Sequence, residues 1–164
     1  MTVRPESRAA ENEARSHAPA GAQALAERVA RAMFDSDGAS RGLGMRIVGI
    51  GPGHAEMTMT VRDDMLNGHA ICHGGFIFLL ADSTFAFACN SYNRNTVAQG
   101  CTIDYLAPAH RGDVLHARGT ERSRTGRTGV YDIEVRNQHG KTVALFRGKS
   151  YRIDGHVVDE PSAG

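Results

Sequence analysis

The chain has 164 residues, 41% hydrophobic and 23% charged, which is enough apolar material for one domain with its own core and short extensions. Its 19 Lys and Arg stand against 18 Asp and Glu, a formal net charge of +1, so it lacks the broad basic field that draws proteins to phosphate backbones, and no nucleic acid is expected as a partner. The three cysteines, Cys72, Cys89 and Cys101, are odd in number and lack framework spacing, which suits reduced thiols in a cytoplasmic protein.

The opening stretch MTVRPESRAAENEARSHAPA carries no aromatic residue and no apolar block, and its Glu6, Glu11 and Glu13 argue against a presequence. Residues 1–21 are therefore expected to be a disordered tail, residues 22–154 a single domain, and residues 155–164 a flexible C-terminal tail. From Gln23 onward Leu25, Val29, Ala32 and Met33 recur at helical spacing, predicting an amphipathic helix that ends around Asp35 to Gly38. The period then changes. GMRIVGIG and HAEMTMTVR alternate apolar with polar residues on either side of a Gly-Pro-Gly turn, predicting a hairpin.

Residues Gly75 to Cys89 are apolar on nearly all sides, which predicts a helix enclosed by the rest of the protein. The run is too short to span a membrane and is interrupted by Asp82, Ser83 and Thr84, so no membrane partner is expected. Further strands follow. TVAQGCTIDYL is expected to place Val97, Cys101, Ile103 and Tyr105 on one face, and three antiparallel strands succeed it, among them GVYDIEVRN with Tyr131, Ile133 and Val135 facing one way. A sheet wrapped around one buried helix, an α+β domain, is the natural arrangement.

Several local motifs are rejected on their spacing. GIGPGH precedes a strand and lacks the spacing of a dinucleotide loop, and RGKS has Val143 where a phosphate loop needs glycine. HAICH clusters His69, Cys72 and His73 without a second ligand pair, so no metal is expected, and Cys72 reads as an inert buried thiol.

Asp82 calls for a chemical reason. Its helical neighbours are Phe78, Leu79, Phe85 and Ala86, so the carboxylate shares an apolar face where burial costs energy. One account is pairing with an arginine; the other is a partly desolvated, more basic carboxylate fit for a general base or acyl acceptor. At the start of the same helix His73-Gly74-Gly75 offers backbone N–H groups without intrahelical partners, suited to charge developing on a carbonyl oxygen. Close packing would explain those glycines equally well. Asn67 could hold a water or a carbonyl, or cap a turn.

The ordered set Asn67, Gly68, His73-Gly74-Gly75, Phe78, Leu80-Ala81-Asp82, Phe85-Ala86, Ala88 and Asn90, continued by CTIDYLAP, TGVYDIEVRNQ and KTVALFRGKSYRI, resembles the hotdog-fold acyl-CoA thioesterases of the phenylacetate-degradation (PaaI) group. The resemblance spans about residues 30–153. It implies a long central helix wrapped by an antiparallel sheet, homodimers that pair into homotetramers, and hydrolysis of aryl- or acyl-CoA thioesters with no cofactor beyond the coenzyme A of the substrate. It assigns Asp82 as nucleophile or general base, the Gly74 amide as carbonyl polariser, Asn67 as a positioning group and His73 as support for that loop. Where relatives carry a water-positioning serine or threonine this chain reads Val97-Ala98-Gln99-Gly100, which makes Gln99 the candidate or else a satisfied sheet-edge residue.

Gly75 and Phe78 are expected beside the substrate, with Phe76 and Phe85 as further aromatic candidates, while Arg147, Lys149, Arg111, Arg124 and Arg127 are candidates for the coenzyme A phosphates. Gly74 and Asp82 lie eight residues apart, about 12 Å along a helix, too far for one thioester to touch both. The active unit is therefore expected to be a dimer with shared sites. Two alternatives are a hotdog enoyl-CoA hydratase or dehydratase, and a non-catalytic acyl-CoA binding protein.

Overall fold

The computed structural model describes residues 20–159. Helix α1 (Ala20–Ser36) and the short α2 (Gly38–Gly42) precede a hairpin of β1 (Arg46–Gly51) and β2 (His54–Thr60); a 3-10 turn at Asp63–Met65 leads into α3 (Gly74–Asn90), and β3 (Thr96–Tyr105), β4 (Val114–Thr125), β5 (Thr128–Arg136) and β6 (Thr142–Arg152) complete the chain. The strands form one antiparallel six-stranded sheet in the order β1-β2-β4-β5-β6-β3. Gly53, at φ +68°, makes the β1–β2 turn that the Gly-Pro-Gly sequence predicts.

The sheet curls around α3. Phe85 on the helix packs edge-on against Tyr131 at 5.6 Å and at a tilt against Phe146 at 6.0 Å, and Phe78 meets Phe146 edge-on at 5.5 Å. Tyr131, Ile133 and Val135 are buried together, as their alternation predicts. Met57, Met59, Leu80 and Leu115 are buried with them, each contributing roughly 1.5–3 kcal/mol by leaving water. Helix α1 covers the far end of the core, where the Phe34 ring packs at a tilt against Phe87 of α3 at 6.2 Å.

The predicted face of β3 needs correction. Ala98 pairs with Ser150 and Gly100 with Lys149, so Gln99 is an extra residue in the strand. This bulge inverts the alternation. Cys101, Ile103 and Tyr105 pair with Gly148, Phe146 and Ala144 of β6 and share the helix side, while Val97 pairs with the outward Tyr151 and turns away. β3 is also one of the two edges of the sheet, and most of its side chains are exposed.

Residues 155–159, expected to be flexible, are tied back onto the body: the Asn93 side chain donates to the Val158 carbonyl and accepts from the Val158 N–H, both at 2.9 Å. The rest of both expected tails lies outside the described residues. No helix among them is long and apolar enough to cross a membrane.

Candidate active site

Asp82 sits midway along α3, half-buried, on the stripe formed with Gly75, Leu79 and Ala86 that the core leaves partly exposed, while the neighbouring Phe78 turns its ring onto Phe146 of the sheet. Its carboxylate makes no hydrogen bond or ion pair with any described residue, so no arginine among them pairs with it. Burial alone pushes the Asp82 carboxyl above the ordinary carboxylate value. The charge is felt by Cys101 on the inner face of β3 and by Cys89 two helical turns further on, where the negative carboxylate helps to raise both thiols.

The N-terminus of α3 is built by short-range bonds. His73 is its N-cap, and its ring Nδ1 accepts the Gly75 N–H at 2.9 Å. A neutral ring in that role carries its proton on Nε2. The Gly75 amide is therefore committed to the cap, which corrects the expectation that both glycine amides stay open to a ligand. The Gly74 N–H, first in the helix, has no intrahelical acceptor. Asn67 Oδ1 accepts the N–H of His69 at 2.9 Å and that of Ile71 at 3.4 Å, closing an Asx-type turn. Its Nδ2 has no partner among the described residues. The turn-cap reading of Asn67 is thus what the fold shows, through one end of the amide.

Tyr105 is the residue that sequence reasoning missed. It reaches from β3 to donate its hydroxyl to the Gly74 carbonyl at 3.0 Å. The only signal was its place on the predicted apolar face of that strand. A Cβ on Gly74 would lie 3.0 Å from the Tyr105 ring, so close approach accounts for this glycine independently of any ligand.

The remaining candidates divide. Phe78 stays beside Asp82, whereas Phe85 is fully buried in the core and cannot line an open pocket. Gln99 is the exposed bulge residue of β3. Arg147 and Lys149 project from the outer face of β6, opposite to α3, because Phe146, Gly148 and Ser150 take the inner one. Arg147 is held there by Asp132 at 2.6 Å and Arg111 by Asp63 at 2.8 Å, so the fold does not bring these cations to Asp82. Cys72 is buried and its thiol is pushed up to about 11, chiefly by burial, which makes it a poor nucleophile.

A model of the thioesterase superfamily matches residues 69–144, which include the helix cap, Asp82, strands β3 to β5 and the start of β6. The acyl-coenzyme A thioesterase PaaI of Escherichia coli K12 is 52% identical over 131 residues, covering 80% of this chain and 94% of that protein. The structure of the E. coli PaaI protein from the phenylacetic acid degradation operon superposes with a TM-score of 0.81 at 51% identity, over 82% of this chain and 97% of that one. A Streptococcus mutans protein bound to acetyl-CoA superposes with a TM-score of 0.66 at 28% identity, over 68% of this chain and 90% of that one. With identity and coverage of this extent, the chain belongs to the hotdog-fold acyl-CoA thioesterases of the PaaI type.

Proposed function

We propose that this thioesterase hydrolyses aryl-CoA thioesters, phenylacetyl-CoA or its hydroxylated forms, to the free acid and coenzyme A, in the cytoplasm and in connection with phenylacetate degradation. The observation that carries the chemistry is Asp82, a half-buried carboxylate with raised basicity and no partner among the described residues, next to Phe78 on the helix. The aryl preference rests on that aromatic neighbour and on the names of the E. coli relatives. A relative bound to acetyl-CoA supports coenzyme A as the carrier.

In this reading the thioester carbonyl accepts the Gly74 N–H, which draws charge onto the oxygen as the tetrahedral centre forms; one such preorganised donor is worth roughly 10²–10³ in rate. Asp82 either takes a proton from the attacking water or attacks the carbonyl itself to give an anhydride that water opens, and coenzyme A leaves as thiolate. The Asn67 Nδ2 donates to the water or the carbonyl, and His73 holds the loop. Since Gly74 and Asp82 are about 12 Å apart along α3, the two groups come from different protomers of a homodimer, which pairs further into a homotetramer. The exposed edge strand β3 and the uncovered stripe of α3 supply an interface of the kind that a long free edge invites.

The test is thiol release from a panel of phenylacetyl-, hydroxyphenylacetyl-, benzoyl- and straight-chain acyl-CoA. Aryl-acetyl thioesters should win by kcat/KM. Faster hexanoyl or longer thioesters would overturn the aryl assignment, and loss of enoyl absorbance from crotonyl-CoA without thiol release would indicate a hydratase.

A further inference from the structure

Helix α3 carries few polar side chains in its body, and they do different things. Thr84 turns its hydroxyl back onto the Leu80 carbonyl at 2.7 Å, and Asn90 ties the last turn to Thr96. Ser83, one residue after Asp82, reaches outside the helix: its Oγ lies 3.0 Å from the Oγ of Ser40 in α2, across 43 positions of sequence. Both serines are out of water, at 9% and 0% exposure. Ser40 is in turn held by Asp37, the N-cap of α2, whose carboxylate accepts the Ser40 N–H at 3.0 Å and the Ser40 hydroxyl at 2.5 Å.

Counting protons gives this chain a direction. A carboxylate only accepts, so Ser40 gives its single hydroxyl proton to Asp37, and Ser83 donates to Ser40. The central helix is thereby tethered, through Ser40, to a charged end that closes with a short, charge-assisted bond. The helix needs such a tether. It is apolar on nearly all sides, and hydrophobic patterning does not tell a helix of that kind which way to face. Phe85 seats one side of it on the sheet, in the notch that Gly148 leaves. At about 100° per residue, Ser83 stands on the side opposite Phe85, and Asp82 stands between the two. Phe85 alone is a pivot; the bond from Ser83 to Ser40 is a second fixed point that stops the helix from turning about it.

We propose that Ser83 and Ser40 are positioning residues for the reaction: their buried hydrogen bond fixes the rotation of α3 and so holds Asp82 at reacting distance from the thioester. The assignment rests on the reading of Asp82 as base or nucleophile and adds what aims it. A buried polar contact of this kind adds little net stability, yet it selects one arrangement among close alternatives, as polar residues do when they set helix register. A carboxylate about 6 Å from a helix axis moves about 1 Å for every 10° of rotation, and a misplacement of that size costs roughly 10²-fold in rate.

Ser83→Ala and Ser40→Ala each remove the bond by one small change. Measured well below the melting temperature, each should lower kcat about tenfold, the loss for roughly half an ångström of displacement, with KM within about twofold. Both delete the same bond, so the double variant should be no slower than either single one. Ser83→Thr keeps the hydroxyl and should hold kcat within about threefold of the unmutated value. If Ser83→Ala does not fold, Ser40→Ala carries the test alone. These readouts separate aim from packing: a tie that serves stability only lowers the melting temperature and leaves the kcat of the folded protein unchanged. The proposal is overturned if the alanine variants keep kcat within about twofold, if their losses multiply in the double variant, or if Ser83→Thr is as slow as Ser83→Ala. Asp82→Asn, assayed beside them, keeps the two readings apart. If it retains turnover, the reading of Asp82 fails; if it is inactive while both alanine variants keep full kcat, only the serine brace fails.

Discussion

The Tyr105 hydroxyl donates to the Gly74 carbonyl at 3.0 Å, and the Tyr105 ring stands where a side chain on residue 74 would begin. An edge strand and the first turn of the central helix are thereby locked together at the amide proposed to polarise the substrate. Tyr105→Phe keeps the ring and deletes the bond. A neutral hydrogen bond contributes about 1 kcal/mol, so kcat should fall roughly fivefold with little change in melting temperature, because the hydroxyl is exposed. Gly74→Ala should cost more, at least tenfold in kcat, since its Cβ displaces the ring as well; wild-type turnover in both variants would remove this contact from the mechanism.

Asp82→Asn preserves shape and removes basicity. The expected result is a loss of at least 10² in kcat, with the fold and coenzyme A binding retained. A variant that keeps more than about a tenth of the original kcat excludes Asp82 as base or nucleophile.

The same carboxylate makes stability depend on pH. Burial raises its pKa in the folded protein above 3.8, so the folded state holds the proton more tightly than the unfolded one. The cost of the charge is absent below the unfolded value and sets in as pH rises through the folded one. Paired melting curves should therefore coincide in acid, and Asp82→Asn should melt higher near neutrality. The acidic limb of kcat/KM should likewise lie above the ordinary carboxylate range. A melting advantage that shrinks as pH rises contradicts the burial of this charge.

Complementation probes the shared site. Asp82→Ala removes the carboxylate and Gly74→Pro removes the backbone donor, so each homodimer should be inactive. Random mixing makes half the dimers mixed, each with one intact site, hence about a quarter of sites active. Inactive mixtures, shown by mass to have exchanged subunits, would place the whole site within one chain.

Gly148 tests packing alone. A Cβ there would lie 2.7 Å from the Phe85 ring, which cannot retreat because it is wedged between Tyr131 and Phe146. Gly148→Ala should destabilise the fold by roughly 1–3 kcal/mol, read as a lower denaturation midpoint. An unchanged midpoint would mean that the helix-to-sheet contact is looser than these distances require.

What the chain declares by itself is whatever depends on neighbours in sequence. The continuous apolar run from Gly75 to Cys89 announces an enclosed helix, the alternation around Tyr131 and Ile133 announces a covered strand, and Asp82 stands out because a carboxylate among Phe78, Leu79 and Phe85 has no cheap structural purpose. His73 lies two residues before the amide it caps and Asn67 two before the first N–H it holds, so the architecture of that loop was also within reach. Only the tertiary structure could decide the rest. The bulge at Gln99 reverses which way Val97 points, and the slip after Glu121 swings Arg124 to the helix side; one extra residue inverts every face beyond it, and nothing local marks where it falls. Tyr105 meets Gly74 across 31 positions, and Ser40 meets Ser83 across 43. Such groupings are set by tertiary packing and register, which is why Arg147 and Lys149, promising in sequence, end on the face away from Asp82.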